Sequence, residues 1–408
     1  MSDLMVCVAG KNNIGVEVLE YLYENCNGRY QLCVVCNKTE TGENGCQRSL
    51  RLRAQQLGIK EYKLADLYEM ENLIFLSMEF DQIVRTGRFK TDRLYNIHFS
   101  LLPAYKGMYT SALPILNSEK TVGVTLHRID DGIDTGEIID QKPFELKPSY
   151  TCRDLYFAYI ANGIELVLKN IEVILRHEEV STPQKTEYST YFSRSSIDYS
   201  NLTIDLNQTA WGIRSQIRAF SFREHQMPDC MGHDIFEVQI TDSRSDKRAG
   251  TVIAENEHAM RIATVDYDVI LHYDRFQELL NACRTGEIEK VKEICKVSDR
   301  YISEVSKEGW TPLIVAAYHN QTACVDYLLE QGADCFAKGK NGTNLLMYAK
   351  DAFWKTGDST LVERFLELQL SPLMEDYFGN NLYFYVDRND VDEGLKQKLR
   401  EILLRANR

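Results

Sequence analysis

A repeat near the carboxyl end is the feature that most restricts how this chain folds. Gly309-Trp310-Thr311-Pro312-Leu313 and Gly342-Thr343-Asn344-Leu345-Leu346 share a pattern, and their glycines lie 33 positions apart (342 minus 309). The pattern begins again at Gly379, 37 positions after Gly342, so four residues are inserted, which we place near 354–359. A unit of this length is a helical pair that buries its apolar face only against a neighbouring unit. The sequence therefore predicts stacked helical repeats, with residues 276–295 as a degenerate first unit.

The amino-terminal half alternates apolar runs of strand length with helical patterns. Such runs lie at 4–9, 31–36 and 73–76, and a helical pattern follows the first run. Parallel strands joined by crossover helices produce this alternation. We therefore expect an α/β core, and Thr151 with Asp154 predicts the capped start of a long helix that reaches about residue 179.

Beyond residue 200 the periodicity changes to that of short antiparallel strands. Alternating or short apolar runs recur at 236–240, 251–253, 260–263 and 269–271. This spacing predicts a small β subdomain. We place the domains at residues 1–200 (α/β core), 201–273 (small β-rich subdomain) and 274–408 (repeats).

Composition excludes several classes of function. The chain has 408 residues, of which 44% are hydrophobic and 26% charged, enough for two or three packed domains. Its net charge of −13 disfavours nucleic-acid partners, because binding to phosphate backbones needs clustered Lys and Arg. No apolar stretch has the length of a membrane span and the start lacks a basic signal-peptide region, so we expect a cytoplasmic protein without a membrane partner. The 11 cysteines are predicted to be reduced thiols, and Cys33 and Cys36 lack the second pair that a metal site would need.

Three polar residues are suited to acyl transfer onto an amine. Asn96 and His98 end a short apolar run, and Asp134 opens the turn Asp134-Thr135-Gly136. An attacking amine needs a base for its proton, and the carbonyl needs a donor for the oxygen that becomes negative. His98 can be the base and Asn96 the donor, while Asp134 can orient the imidazole and stabilise its protonated form. Ligands of open α/β sheets bind beyond the carboxyl ends of strands, which is where His98 is expected.

Two further segments offer candidate contacts for a phosphorylated substrate. The loop 10–15 fits neither a Walker motif nor GxGxxG, but a loop at a helix N-terminus favours anions, so Lys11 and Asn12 are candidates. A solvated loop is the alternative. Around residues 211–223, aromatic and cationic side chains occur together, which suits a ligand with a planar base and a pyrophosphate, and Arg218 and Phe222 are the candidates there. The alternative is a helix with Trp211 and Phe220 in the core and its arginines in solvent.

The catalytic pattern resembles a known family. Asn96, His98, Ser100–Pro103, Gly123–Thr125 and Asp134–Gly136 together resemble the signature of the N10-formyltetrahydrofolate-dependent formyltransferases, and 216–220 is similar to the segment that opens their small β-rich subdomain. The resemblance covers the first two predicted domains. It implies a Rossmann-like formyltransferase core with Asn96, His98 and Asp134 as catalytic residues. The repeats from Gly309 onward resemble ankyrin repeats, which implies an all-α ankyrin-repeat domain at the carboxyl end.

The resemblance also implies the ligands. N10-formyltetrahydrofolate would be the co-substrate, without a metal, in a cleft formed by Met78, Glu79, Phe80, Asp131 and Gly132. The segment that follows Pro103 departs from the Arg-Tyr-Arg-Gly of general family members. This departure indicates a different acceptor, with three candidate contacts: Lys106, Met108 and Tyr109.

A formyltransferase core followed by ankyrin repeats is similar to bacterial enzymes that formylate dTDP-3-amino-3,6-dideoxyhexoses. The resemblance therefore implies a nucleotide-linked amino sugar as acceptor, with the glucose configuration as first choice and the galactose configuration as second. It also implies a role in O-antigen or S-layer glycan synthesis and a homodimer formed through the β subdomain. Trp310 lies at the hairpin tip of a repeat, where exposing a tryptophan is costly, so we hypothesise a contact with a ligand, partner or other domain. Packing on a neighbouring repeat is the alternative.

Three other functions stay open at this point. Methionyl-tRNA formyltransferase shares the three catalytic residues, but the acidic chain and the repeats argue against a tRNA substrate. Formyltetrahydrofolate hydrolase uses a similar site with water as acceptor. A non-enzymatic ankyrin scaffold on an inactive core is the third, and the intact Asn96, His98 and Asp134 argue against it.

Overall fold

The computed structural model describes residues 3–387 and 391–406. Met1 and Ser2, which entered the expectation of no signal peptide, lie outside this range. In the described part of the chain, no helix is both long and apolar enough to cross a membrane. The residues form two compact units, and the predicted boundaries at 200 and 273 stay predictions. The first unit holds the residues up to Asp234 with Ile240–Thr251 and Ile262–Val269; the second holds Ile235–Gln239, Val252–Arg261 and the residues from Ile270 onward.

A seven-stranded sheet organises the first unit, in the order β3-β2-β1-β4-β5-β7-β8. The pairs from β3 to β5 are parallel, whereas β7 is antiparallel to β5 and to β8. The predicted α/β fold is thus confirmed, while the two antiparallel strands were not foreseen. The strands are β1 (Met5–Gly10), β2 (Gln31–Cys36), β3 (Lys60–Glu61), β4 (Leu73–Met78), β5 (Leu94–His98), β7 (Thr121–Arg128) and β8 (Ile138–Glu145). A separate two-stranded sheet pairs β6 (Lys106–Gly107) with β9 (Tyr191–Phe192).

Helices cover the sheet, which explains why its central strands are continuous apolar runs. The longest helix, α4, begins with the predicted capping box of Thr151 and Asp154 and ends at His177 in a left-handed conformation. A Cβ at Gly163 would lie 3.1 Å from Ile14 and 3.4 Å from Ile97, so α4 packs closely on the core. The helices of this unit are α1 (Asn12–Glu24), α2 (Leu50–Gln56), α3 (Leu113–Leu116), α4 (Cys152–Arg176) and α5 (Ala210–Phe220).

The predicted antiparallel β region is also present. Five strands follow α5 and form a sheet in the order β10-β11-β14-β13-β12. Each predicted apolar run lies within or next to one of them. The strands are β10 (Asp229–Cys230), β11 (His233–Ile240), β12 (Val252–Glu255), β13 (Ala259–Ile262) and β14 (Val269–Tyr273).

The repeat region consists of the helical pairs that the 33-residue step predicts. The inner helix α11 has 12 residues where its counterpart α9 has seven, and it ends at Gly357 with φ of 74°. The inserted residues therefore lengthen this helix by about one turn. The helices are α6 (Phe276–Thr285), α7 (Ile288–Cys295), α8 (Arg300–Ser303), α9 (Pro312–Tyr318), α10 (Thr322–Glu330), α11 (Leu345–Thr356), α12 (Thr360–Glu367), α13 (Leu382–Val386) and α14 (Glu393–Ala406).

Candidate active site

Two of the signature segments bind each other beside the end of β5. The Thr125 hydroxyl donates to the carbonyl of Ser100 at 2.7 Å and accepts from the backbone N–H of Leu102 at 3.1 Å. A Cβ at Gly123 would lie 2.5 Å from the Leu101 side chain and 2.5 Å from the backbone carbonyl oxygen of Lys142, so only glycine permits this approach. The loop after His98 is therefore fixed on β7 by side-chain and backbone contacts together.

The Asp134-Thr135-Gly136 turn places its carboxylate by an unusual backbone conformation. Asp134 has φ of 55°, a left-handed conformation that Asp tolerates better than most residues. A Cβ at Gly136 would lie 1.8 Å from the carbonyl oxygen of Arg128, so a side chain there would displace the turn. Gln184 donates to the carbonyls of both Asp134 and Gly136 at 2.8 Å. The turn is thus held from both sides.

His98 is buried, and both of its ring nitrogens face acceptors. Nε2 lies 2.8 Å from the carbonyl oxygen of Tyr105, and Nδ1 lies 3.5 Å from Oδ2 of Asp134. In the neutral ring the contact at Nε2 assigns the proton to that atom, because a carbonyl can only accept. Nδ1 is then the basic atom, and a proton received there produces an imidazolium that can donate to both oxygens.

A glycine in the segment 106–109, where acceptor contacts are predicted, is hydrogen-bonded to Asp134. The Gly107 N–H donates to Oδ2 of Asp134 at 2.9 Å, and Gly107 has φ of 88°. A Cβ there would lie 2.2 Å from the carbonyl oxygen of Phe192, the residue that pairs with Gly107 between β6 and β9. The short β6–β9 sheet therefore holds one oxygen of the carboxylate through a position where only glycine fits.

His127 belongs to this site and was missed by the sequence reasoning. Its Nδ1 lies 2.7 Å from the carbonyl oxygen of Arg128, so this nitrogen donates, and Nε2 accepts from the Asn96 amide at 3.0 Å. Burial lowers the pKa of His127 to about 4, against the opposing effect of the Asp134 carboxylate. His127 is therefore neutral near pH 7 and can hold the Asn96 amide nitrogen. One signal was available, since His127 lies two residues after Thr125 and so on the same face of the strand.

Asn96, His127 and Asp134 line one side of a cavity of about 200 Å³. Its other lining residues are mainly apolar, and Asp130 is among them. Apolar walls with a few convergent polar groups are typical of sites that bind small molecules. Within the described ranges, no group of three or more His, Cys, Asp or Glu side chains is arranged to hold a metal ion. The remaining lining residues are Ser77, Phe80, Gln82, Ile83, Val84, Ile129, Gly132 and Ile133.

The five residues expected around the folate lie in different surroundings. Phe80 and Gly132 line the cavity, whereas Met78 is 1% exposed inside β4. Asp131 accepts a hydrogen bond from the Thr86 hydroxyl at 2.5 Å. The Glu79 carboxylate accepts instead from the Tyr156 hydroxyl, as described below. Their roles in binding stay predictions.

The acceptor candidates fall into two groups in the structure. Lys11 and Asn12 begin α1, and the Asn12 amide donates to the Tyr156 hydroxyl at 3.0 Å. Lys106 lies in β6, Met108 is 44% exposed, and the Tyr109 hydroxyl donates to the carbonyl of Arg194 at 2.8 Å. The first group lies at the ends of β1 and β4 and the second on the loop that carries Gly107.

The two candidates near α5 make internal contacts. Arg218 is 8% exposed, and its guanidinium donates to the carbonyls of Tyr150 at 2.8 Å and Lys147 at 3.2 Å. Phe222 is 7% exposed and its ring centre lies 5.4 Å from that of Tyr156. Trp211, by contrast, is 50% exposed, so the alternative that buries it does not hold. Substrate contacts of Arg218 and Phe222 stay predictions.

Trp310 packs within the repeats and keeps part of its surface exposed. Its ring centre lies 5.7 Å from that of Tyr318 and 5.5 Å from that of Tyr348 in the next repeat. Lateral packing is thus visible in the structure, and a contact with a ligand or partner stays a hypothesis.

Comparison with known proteins gives matches in both parts of the chain. The model of the formyl transferase family matches residues 75–169, and that of ankyrin repeats (three copies) matches residues 279–367. Among curated proteins, the methionyl-tRNA formyltransferase of Clostridium beijerinckii is 27% identical over 212 residues, which cover 50% of this chain and 68% of the relative. That of Fervidobacterium nodosum is 32% identical over 178 residues, which cover 41% of this chain and 55% of the relative.

Two solved structures match over most of their length. One is WlaRD, a sugar 3-N-formyltransferase solved in the presence of dTDP and 5-N-formyltetrahydrofolate; it is 40% identical, with a TM-score of 0.61, and the match covers 67% of this chain and 98% of that one. The other is an N-formyltransferase from Helicobacter canadensis in complex with folinic acid and dTDP-3-aminofucose. It is also 40% identical, with a TM-score of 0.61, and the match covers 66% of this chain and 100% of that one.

Proposed function

The chain belongs to the sugar N-formyltransferases of the formyl transferase family, and from this premise we propose that it formylates a dTDP-linked 3-amino sugar. The formyl donor in this proposal is N10-formyltetrahydrofolate. The acceptor is the 3-amino group of a dTDP-3-amino-3,6-dideoxyhexose, with the glucose configuration as first choice. We further propose that the enzyme is a cytoplasmic homodimer of bacterial O-antigen or S-layer glycan synthesis.

One observation carries this proposal: Asn96, His98 and Asp134 converge beside a mainly apolar cavity. Asn96 and Asp134 line it, and His98 contacts Asp134 from a buried position. Apolar walls suit the ring system of a folate, while the polar inner end suits a formyl group that develops negative charge.

The reaction then follows from the positions of these groups. The amine nitrogen forms a bond to the formyl carbon, and the carbonyl oxygen becomes an oxyanion that accepts from the Asn96 amide. His98 takes a proton from the attacking nitrogen at Nδ1, and the imidazolium donates to Tyr105 and Asp134. When the bond between the formyl carbon and N10 breaks, a proton passes to N10 by way of Asp134, and tetrahydrofolate leaves with the amide product formed.

His127 has a supporting role in this scheme. Because its Nε2 accepts one amide N–H of Asn96, the other amide N–H is free to donate to the oxyanion. The amide is oriented before the substrate binds, which is how preorganised donors lower a barrier. His127 is thus a positioning residue.

The two similar structures support a sugar acceptor. Both are N-formyltransferases, one solved with dTDP and the other with dTDP-3-aminofucose. Methionyl-tRNA formyltransferases are among the curated relatives, and the two named above cover 50% and 41% of this chain. The net charge of −13 also disfavours a tRNA acceptor.

A panel of acceptors tests the proposal directly. The protein and formyltetrahydrofolate are incubated in parallel reactions with a dTDP-linked amino sugar, a UDP-linked amino sugar, methionyl-tRNA or no acceptor. The products are identified by mass. We expect a gain of one formyl group on dTDP-3-amino sugars. Formylation of methionyl-tRNA alone, or release of formate at the same rate without any acceptor, would contradict the proposal.

A further inference from the structure

Four polar side chains from separate segments meet beside the catalytic edge of the sheet. They are Asn12 at the start of α1, Gln47 in the loop after β2, Glu79 directly after β4, and Tyr156 in α4; we name them the Glu79 cluster. The Tyr156 hydroxyl lies 2.8 and 3.0 Å from the two carboxylate oxygens of Glu79. The amides of Asn12 and Gln47 each lie 3.0 Å from the same hydroxyl.

The donors and acceptors of this cluster are as follows when Glu79 is ionised. Tyr156 has one hydroxyl proton, and since amide nitrogens only donate, that proton goes to Glu79. The carboxylate also accepts from Asn12 at 3.3 Å. A carboxylate has about four lone-pair sites, and these two donors leave about half of them unused. Glu79 therefore keeps capacity for another donor.

A carboxylate in this place is costly as a purely structural element. Burial raises the pKa of Glu79, which the hydrogen bond from Tyr156 and the charge of Lys11 oppose only in part. Glu79 also has φ of 57°, in a region that is uncommon for residues other than glycine. Backbone outliers of this kind persist where the surroundings hold them, and they concentrate at ligand sites.

The backbone around Glu79 is held from two sides. The Asn37 amide donates to its carbonyl at 2.8 Å, and the N–H of Lys11 donates to the carbonyl of Met78 at 3.3 Å. Specific hydrogen bonds therefore stabilise the strained backbone conformation at Glu79.

The strand register gives the position of Glu79 relative to the reacting groups. Ser77 of β4 pairs with Asn96 of β5, and Met78 pairs with Ile97. Glu79 directly follows β4 and His98 is the last residue of β5, and the two strands are parallel, so both residues lie at the same edge of the sheet. The carboxylate contacts Asn12 and Tyr156, whereas Phe80 lines the cavity described above.

We propose that Glu79 accepts a hydrogen bond from a hydroxyl next to the reacting amine of the acceptor sugar and is the specificity-determining residue of this site. This inference rests on the proposed function. A 3-amino hexose has hydroxyl positions on both carbons that flank the amine-bearing carbon. With the amine against Asn96 and His98, a hydroxyl on the adjacent carbon faces the next strand, where Glu79 lies. The Glu79 cluster thus fixes how the sugar ring is oriented.

Kinetics with matched acceptors test the proposal. Wild type and Glu79→Gln are compared on a dTDP-3-amino-3,6-dideoxyhexose, its C4 epimer, and analogues that lack the C2 or the C4 hydroxyl. We expect Glu79→Gln to lower kcat/KM about 10- to 100-fold on the full acceptor, as for loss of a hydrogen bond to a charged group. In wild type, kcat/KM for one of the two deoxy analogues should be lower than for the full acceptor by a similar factor. In Glu79→Gln, removal of the same hydroxyl should lower kcat/KM little further, as a double-mutant cycle requires.

A second variant covers the case in which Glu79→Gln does not fold. Tyr156→Phe removes the hydroxyl that orients the carboxylate, and we expect kcat/KM on the same acceptors to fall by a smaller factor, about 3- to 10-fold. For the same deoxy analogue, this substitution should leave kcat/KM unchanged. In both variants the KM for formyltetrahydrofolate should stay unchanged.

Two outcomes would overturn the proposal. One is an equal loss on every acceptor, deoxy analogues included, which is what a structural role predicts. The other is a raised KM for formyltetrahydrofolate, which would place Glu79 in the folate cleft instead. Failure of the proposed function is distinguishable, because wild type itself would then formylate none of the amino sugars.

Discussion

The proposed catalytic edge of the sheet, where Asn96 and Asp134 lie, and the repeat region both contain polar side chains that are at least partly buried. These side chains find their partners at very different distances along the chain. In the repeats, Thr311 and Asn344 accept from backbone N–H groups three residues onward, at 3.1 and 3.0 Å. At the catalytic edge, the partner of Asn96 is His127 and that of Asp134 is Gly107, 31 and 27 residues away. Short-range partners cap helices, whereas long-range partners assembled around a cavity mark a site.

The two regions also differ in how their polar contacts contribute to the stability of the fold. A capping side chain satisfies a backbone group that would otherwise lack a partner, so it stabilises the fold. The groups around Asp134 are held less closely, since His98 and His127 lie 3.5 and 3.7 Å from its oxygens. Such contacts can tighten when a substrate binds. We therefore expect substitutions at the catalytic edge to change turnover, and those in the repeats to change stability.

The largest effect is expected for Asn96→Ala. Loss of one oxyanion donor costs about 3 kcal/mol in the barrier, so turnover should fall by about a hundredfold or more. Single-turnover formyl transfer under saturating substrates measures this loss. Turnover near that of wild type would remove Asn96 from the mechanism.

Gly107→Ala comes next, with a loss on the order of 2 kcal/mol shared between stability and turnover. The new Cβ would meet the carbonyl of Phe192, and the N–H that holds Asp134 would move. Gly28→Ala is the matched control, because Gly28 also has a positive φ (73°) but open space around it. Melting temperature and kcat of the two variants give the comparison, and equal kcat values would show that the Gly107 contact is not needed.

His127→Gln is expected to flatten the dependence of stability on pH. The folded pKa of about 4 lies below the ordinary value of 6.5, so between these values the unfolded chain binds a proton that the folded chain does not. The contribution to stability is therefore full above about pH 6.5 and is lost as the pH falls toward 4, at up to about 1.4 kcal/mol per pH unit. Urea unfolding at several pH values measures this slope. An unchanged slope in His127→Gln would contradict the prediction.

The smallest effect is expected for Asn344→Ala in the repeats. Removing this cap of α11 should cost about 1 kcal/mol of unfolding free energy and leave kcat unchanged. This variant is the counterpart of Asn96→Ala, because Asn344 caps a helix whereas Asn96 is a proposed catalytic residue. A large loss of kcat in a folded Asn344→Ala protein would break the comparison between the two regions.

Much of the fold was predictable because it depends on local periodicity. The 33-residue step located the repeats, the Thr151–Asp154 pair located the start of α4, and the short apolar runs located most strands. The antiparallel β7 and β8 were not foreseen, because a buried apolar run has the same appearance in either strand direction. The exposed Trp211 was ambiguous for a similar reason, as an aromatic at a helical position is compatible with core or surface.

For the site, the sequence supplied the residue types and the structure supplied their partners. Asn96, His98 and Asp134 were predicted from their chemistry and from the family resemblance, and their catalytic roles stay predictions. His127 and Tyr105 were missed, since the first acts through its strand pairing with Asn96 and the second through a backbone carbonyl. The type of residue at a single position predicts neither a strand pairing nor the direction of a backbone carbonyl.

By itself, the sequence determined the class of chemistry, the α/β core and the stacked repeats, because side-chain reactivity and periodicity are properties of the chain. Only the tertiary structure decided that His127 holds the Asn96 amide, that Gly107 holds Asp134, and that Glu79 contacts Asn12 and Tyr156. These contacts join residues 27 to 77 positions apart. The physical reason is that sheet register and loop closure, rather than local propensity, bring such groups within hydrogen-bonding distance.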